Sequence, residues 1–408
     1  MYPVSQAYKD AIMQPSRQFR GRLLIPKLTM NFTRNSIAYK QDGTQVAANQ
    51  PRFEPGKFGK AIMVEEGTTN LLANPSFETD SNSDGLADNW TVMVRGTGDS
   101  SRTHAVSRVQ ALLHGSYAQR LEITGGVTNT NGSGLQSASV NVTPGQVYTA
   151  SAYVRASVAD KVMMSLRWVD STGAYITDTY SQQKVGTSVT RITVTGTAPA
   201  NAARVSVVIY GINQVGEWLE VDAVQLEQKP YATSFTDGTR VPETLTIPTA
   251  GVLNPQEGTV ECWVYVNDVV RRNIASNWPT VVLIRKGSSV ANWIWLEHNP
   301  AGIWVLQIRK EDGTITGSGS FSDSLTPDGW HYFAIRWNTQ EGLAELFHNG
   351  VKRISLANVI FPAEYDRINI GHRSGASGDW FNSLIDDLRI SSRAKSDEEI
   401  LAAYMEVA

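Results

Sequence analysis

The chain has 408 residues, one cysteine, and 36 Lys+Arg against 39 Asp+Glu, for a formal net charge of -3. That length suffices for two or three domains with full cores. A lone Cys262 excludes a disulfide scaffold or a thiolate zinc cluster, and no apolar run approaches the roughly 18 residues that span a bilayer.

Residues 1–27 read as a basic N-terminal arm. The first 60 residues carry ten Lys or Arg against three Asp or Glu, so the rest of the chain is net acidic. Such asymmetry suits docking onto an acidic protein surface. The cations are interspersed with Pro, Gly and apolar residues rather than gathered in a stripe, so no nucleic acid is expected, and with no apolar run of spanning length no membrane insertion is expected. Ser5 can cap a short helix with Tyr8, Ala11 and Ile12 on one face, ended by Pro15. The first 25 residues lack the apolar centre of a signal peptide.

From there the chain reads as all-β: two tandem β-sandwiches after the arm. Residues 28–69 form a small β segment, residues 70–236 a first sandwich, and residues 237–408 a second. Short runs rich in Val, Ile, Thr and Tyr recur between Gly, Asn, Asp and Pro clusters, among them Gln146–Arg155, Lys161–Val169, Ser188–Thr195 and Ala203–Tyr210. Asp42-Gly43, Asp312-Gly313 and Asn349-Gly350 mark tight turns, the last of type I′. Thr236–Pro248 reads as a linker. Ser396 with Glu399 is a capping box opening a final helix, its buried side expected to hold Ile400, Leu401 and Tyr404.

The opening NLLANPSFETDSNSDGLADNW (Asn70–Trp90), with VTPGQVYTASAYVR (Val142–Arg155) and GEWLEVDAVQLEQ (Gly216–Gln228), resembles the jelly-roll carbohydrate-binding modules of cellulases and xylanases. GTVECWVYV (Gly258–Val266), GWHYFAIRWN (Gly329–Asn338) and FNSLIDDLRISSRAKSDEEI (Phe381–Ile400) make the second sandwich similar to laminin-G or concanavalin-A-like domains. The layout also resembles bacteriophage tail, tail-tip and fibre proteins. In those, segments like Asn35–Leu72 precede such modules, and segments like Tyr231–Arg240 follow the jelly roll. The resemblance implies other particle proteins as partners through the arm, assembly as a homo-oligomer, and location in a virion made in the bacterial cytoplasm.

Catalytic patterns are incomplete. Laminarinase-type hydrolases carry E-x-D-x-x-E on one strand, and retaining hydrolysis needs two carboxyls about 5–5.5 Å apart. Here the string is Glu220, Asp222 and then Gln225, which cannot deliver a proton. Alternation places Glu220 and Asp222 on one face, and Asp386 and Asp387 on opposite faces. The six histidines show no ligand spacing. No enzyme activity is expected.

Jelly-roll modules often hold a structural Ca²⁺, and the resemblance puts Glu78 and Asp222 at the matching positions; the alternative is that both cap turns or pair with Arg. Aromatics carry the remaining chemistry. Sugar rings stack a C–H face on Trp or Tyr. Trp278, Trp293 and Trp380 lie in loop-like surroundings, while Trp168 and Tyr175 flank the Asp170–Gly173 turn. These five are the expected carbohydrate platforms, each weighed against plain packing. The reading is a virion component that binds host polysaccharide non-catalytically; the alternative is a structural or decoration protein that binds no sugar.

Overall fold

The computed structural model describes residues 29–96, 101–267, 270, 278–287, 291–299, 301–322, 324, 328–373 and 379–406. The arm expected over residues 1–27, with its Ser5-capped helix, lies outside the described residues. Two compact units emerge. One comprises Ala38–Gln45 and Thr68–Arg240; the other takes Val46–Gly67 and Val241 onward, together with the described residues up to Ile37.

The first unit is the expected jelly-roll sandwich. One sheet runs Tyr175–Tyr180, Met163–Val169, Arg204–Ile212, Ser133–Ser137, Trp90–Val94, with Val140–Asn141 also pairing Arg204–Ile212. The facing sheet runs Thr190–Thr197, Val147–Ala156, Trp218–Glu227, Tyr117–Gly125, Thr103–Gln110. Alternation along these strands sends Leu121, Ile123, Leu135, Ala150, Ala152, Met164, Leu166, Val205, Val207 and Ile209 into one shared core.

The second unit stacks two seven-stranded sheets. The first runs Asn31–Thr33, Thr244–Pro248, Arg367–Ile370, Thr280–Arg285, Trp293–Asn299, Ile303–Arg309, Ile315–Ser322. The second runs Val351–Leu356, Leu343–His348, Gly329–Asn338, Glu257–Val266, Ser383–Ser391, Gly59–Val64, Arg52–Gly56. Trp304, Phe333, Trp337, Ile368 and Phe381 fill the space between them, and Cys262 packs there as a small hydrophobe. Asn349 and Gly350 have φ of 49° and 76°, the paired positive values a type I′ hairpin requires.

Three expectations need correction. Residues 28–69 are not a segment of their own. Asn31–Thr33 and the Arg52–Val64 hairpin are strands of the second unit, whereas Ala38–Gln45 goes with the first. The supposed linker Thr236–Pro248 contains a strand, because Leu245 and Ile247 alternate into the core at 2% and 0% exposure. In the final helix, Asp397–Met405, the capping box forms as expected, but the buried residues are Ile400 and Ala403. Leu401 turns 100° further round the axis and stays exposed.

A buried ion network explains why the leading strands belong here. Glu243 is wholly buried; its Oε1 accepts Arg34 Nη1 and Arg52 Nε, each at 2.7 Å. Its Oε2 accepts Arg52 Nη2 at 2.8 Å and the Glu65 amide at 3.0 Å. Arg52 also reaches Glu65 Oε2 at 2.7 Å. Removing one partner strands the others out of water, so Glu243→Ala should destabilise this unit by about 3–5 kcal/mol in urea unfolding.

Two buried imidazoles give the same unit a pH dependence. Burial pushes His348, beside His331 at 3.0 Å, down to about 3, and His372, whose Nε2 accepts the Leu245 amide, down to about 4. Both are neutral when folded, while an unfolded His takes a proton near pH 6.5. Stability from these groups is therefore complete above pH 6.5 and lost as pH falls toward 4. Two protons correspond to a slope of about 2.7 kcal/mol per pH unit. His348→Gln and His372→Gln should each remove about half of that slope between pH 6.5 and 5.

Candidate functional site: the tyrosine face of the first sandwich

On the strand Tyr175–Tyr180, Ile176 leans to the core while Asp178 and Tyr180 point the other way. The register carries that outward row across the sheet. Arg167 sits opposite Asp178 and Ser206, Ser165 opposite Tyr180 and Val208, and Met163 opposite Tyr210. Gly134 faces Tyr210 on one side and Met93 on the other. A Cβ on Gly134 would stand 2.4 Å from Tyr210 Cβ, so glycine is what lets Tyr210 lie across its neighbour.

Asp178 is the hub of this face, its side chain fully buried. Arg95 reaches in from beyond the far edge strand and donates to Asp178 Oδ2 at 2.9 Å and to the Tyr210 hydroxyl at 2.8 Å. Arg167 Nε lies 3.4 Å from Asp178 Oδ1, and the Tyr175 and Tyr180 hydroxyls each donate to Oδ2 at 3.3 Å. Each guanidinium also covers aromatic rings. Arg95 lies 5.0 and 4.7 Å from the Tyr180 and Tyr210 centroids, and Arg167 5.5 Å from Tyr175. Burial, with Asp178 nearby, raises the pKa of Tyr175, and burial raises that of Tyr210, so their hydroxyls remain donors at neutral pH.

The result is a fixed polar floor with two open rings. Tyr175 is 57% exposed and Tyr180 39%. Flat aromatic faces beside oriented guanidinium and hydroxyl donors are suited to a pyranose ring, whose C–H face stacks while its hydroxyls hydrogen-bond. Because the floor is already satisfied internally, little ordering remains to be done on binding.

Of the five residues expected as platforms, Tyr175 alone presents an open ring. Trp168 is fully buried against Tyr148, its indole N–H bonded to Thr179 Oγ1 at 3.0 Å; it stands one residue out of phase with Arg167 and so faces the core. Trp293 is 2% exposed and packs on Trp295. Trp380 is 4% exposed and donates to the Glu243 carbonyl at 2.7 Å. Trp278 is half-buried against Trp295. Sequence reasoning missed Arg95, Arg167, Asp178, Tyr180 and Tyr210. Alternation in SLRW and VSVVIY puts Arg167 and Tyr210 on the outward parity. In YITDTY, however, Ile176, Asp178 and Tyr180 share a parity and are separated by the register shift beside Tyr175, and Arg95 lies beyond its strand, so only the strand order brings the five together.

Glu78 and Asp222 both serve one turn. Glu78 Oε1 accepts the amides of Ser116 and Tyr117 at 2.8 and 3.0 Å. Asp222 Oδ2 accepts those of Leu112, Leu113 and His114 at 3.0, 2.7 and 3.0 Å, and its Oδ1 that of Ala223. Burial nevertheless raises the Asp222 pKa against these bonds. Amide hydrogens thus occupy Glu78 Oε1 and both Asp222 oxygens, which favours the turn-capping alternative.

The strand bulges here. Ala223 has φ of 47° and leaves the core with Asp222, while Val221 and Val224 stay in it. Glu220 pairs with Arg155 and Arg120 at 2.5 and 3.1 Å, and Gln225 is buried, its Oε1 accepting the Thr236 amide. A matching bulge at Asp387, with φ of 48°, corrects the expected opposition of Asp386 and Asp387: both leave the core between Ile385 and Leu388.

Residues 69–215 match the carbohydrate binding domain family, and residues 237–401 the concanavalin A-like lectin/glucanases superfamily. No curated protein matches the chain. Among solved structures, the chain is similar to tailspike protein 4 of bacteriophage CBA120, at 17% identity and a TM-score of 0.29 over 38% of this chain. It spans 21% of that tailspike chain. The sialidase carbohydrate-binding module of Ruminococcus gnavus, bound to α2,3-sialyllactose, is similar at 14% identity and a TM-score of 0.31, over 37% of this chain and 84% of that one.

Asp222→Ala should lower the stability of this sandwich by on the order of 2–4 kcal/mol, because it leaves several amides without an acceptor. If Asp222 is a turn cap, thermal melts of the unaltered protein coincide in EDTA and in Ca²⁺. A drop in EDTA would make Asp222 and Glu78 calcium ligands.

Proposed function

We propose that this chain is a non-catalytic glycan-binding component of a phage or phage-derived tail-like particle, attaching it to polysaccharide on the bacterial surface. The glycan-binding half is carried by one observation: the open Tyr175 and Tyr180 rings stand beside the Arg95–Asp178–Arg167 floor, within the residues that match a carbohydrate binding domain. The attachment half rests on the resemblance of Asn35–Leu72 and Tyr231–Arg240 to segments of tail proteins, and on the basic charge of the leading residues. Sugar contacts of one module are weak, and several copies on a symmetric particle would supply avidity.

Purified full-length protein is expected to sediment with host cell walls. Tyr175→Ala together with Tyr180→Ala should weaken that binding at least tenfold. Losing two hydroxyl donors to Asp178 should also lower the melting temperature, but Arg95 and Arg167 still pair the carboxylate and the sandwich should stay folded. Unchanged binding in the double variant would leave the structural or decoration role. Deleting residues 1–27 should abolish particle incorporation. Deletion must stop there, because Asn31–Thr33 is already a strand of the second unit.

A further inference from the structure

We propose a calcium site in the surface loop Asp80–Asp88 of the first unit, just before the edge strand Trp90–Val94. It is distinct from the Glu78–Asp222 pair and does not depend on glycan binding.

The loop reads Asp80, Ser81, Asn82, Ser83, Asp84, Gly85, Leu86, Ala87, Asp88. Oxygen-bearing side chains stand at its first, third, fifth and ninth positions and glycine at the sixth, the spacing by which a short loop wraps one calcium ion. The backbone follows that plan. Gly85 turns the chain with φ of 87°. Its amide donates to Asp80 Oδ2 at 3.1 Å, the Asp84 amide to Asn82 Oδ1 at 3.3 Å, and the Leu86 amide to Asp84 Oδ1 at 2.8 Å. Asn74 ties the two ends together, its Nδ2 donating to the Thr79 and Asp88 carbonyls at 2.8 and 2.9 Å.

What points to a ligand is Asp80. Its side chain is 3% exposed and its Oδ2 is turned into the loop, yet its Oδ1 has no hydrogen-bond partner. A buried carboxylate oxygen without a donor is costly, and a cation in the loop would satisfy it. Arg108 answers Oδ2 alone, from 3.5 Å, while its Nη1 donates to the Glu78 carbonyl at 3.0 Å. Asp80, Asp84 and Asp88 thus set three carboxylates against one guanidinium.

Among the described residues no three carboxylate, thiol or imidazole groups gather round one point. This loop asks for only two carboxylates in direct contact, Asp80 and Asp84, with Asn82 Oδ1 and the Leu86 carbonyl beside them. Asn82 Nδ2 already rests on Asp84 Oδ2 at 2.9 Å. Asp88, whose Oδ1 accepts the Ser81 amide and hydroxyl at 3.1 Å each, holds the position that reaches the ion through water. Ser81–Asp84 are exposed, so water can complete the shell. Thr91 stands where tight loops carry a bidentate Glu, which places the dissociation constant at about 10⁻⁴–10⁻³ M. At half-saturation so weak a site moves a melt by only about a degree, so a large EDTA effect still belongs to Glu78 and Asp222.

The test is calorimetric titration of the full chain with CaCl₂ and with MgCl₂. A single Ca²⁺ should bind at least tenfold more tightly than Mg²⁺, which holds its waters and demands a stricter octahedron. Asp80→Asn keeps an acceptor for the Gly85 amide and should weaken Ca²⁺ at least tenfold. Asp84→Ala, at an exposed position, should do the same with the circular dichroism unchanged. Glu78→Gln should titrate like the unaltered chain. No heat at millimolar Ca²⁺, equal affinity for Mg²⁺ (general screening by an adventitious ion only), or unchanged binding in Asp80→Asn and Asp84→Ala would each overturn the site. Binding lost in Glu78→Gln but kept in Asp84→Ala would overturn it too, moving the ion to the Glu78–Asp222 pair.

Discussion

A carboxylate withdrawn from water must be given hydrogen-bond donors, and that constraint organises both sandwiches. Glu243 meets it with two guanidinium groups and an amide, and in doing so draws residues 34, 52 and 65 into the second unit. Asp222 meets it with four backbone amides, holding the turn around Leu113 against the closing strand. Asp178 meets it with two arginines and two tyrosines, and the by-product is a face whose rings are held in place from below. Glu297 does not meet it within the described residues, and burial instead raises its pKa to about 9, so the group stays protonated at neutral pH.

The closing strands of the two units solve one problem in one way. In each, an aspartate takes the amide of the next residue on one oxygen and remote backbone amides on the other: Ala223 and the Leu112–His114 run for Asp222, Asp387 and Phe58 for Asp386. The following residue has positive φ, 47° at Ala223 and 48° at Asp387, and the pairing register shifts beside it. The extra residue turns the strand so that it resumes its inward phase at Val224 and at Leu388. The carboxylates that invited a catalytic reading are in this sense bulge-forming groups, positioned by the backbone they bond.

Rigidity and exposure are divided between aromatic types. Most tryptophans are spent on cores: Trp168, Trp304 and Trp337 are wholly buried. Tyrosine, with a polar tip that can anchor to a buried acid, can leave its ring in solvent without losing its position. Tyr175 and Tyr180 do so through Asp178.

Local rules were enough for the all-β class, the two sandwiches, the Asn349-Gly350 turn and the Ser396–Glu399 capping box, because turn chemistry, capping and strand alternation act over a few neighbouring residues. They failed where one residue changes parity: the bulges at Ala223 and Asp387 reverse the phase, and Trp168 differs from Arg167 by a single step. They also had nothing to say about partners distant in the chain. Arg34 finds Glu243 209 residues away, and Arg95 finds Asp178 83 residues away. Strand order across a sheet is set by long-range packing and by the demand of buried charges for donors, so the chain spelled out its layers, while only the assembled sheets decided which side chains share a face.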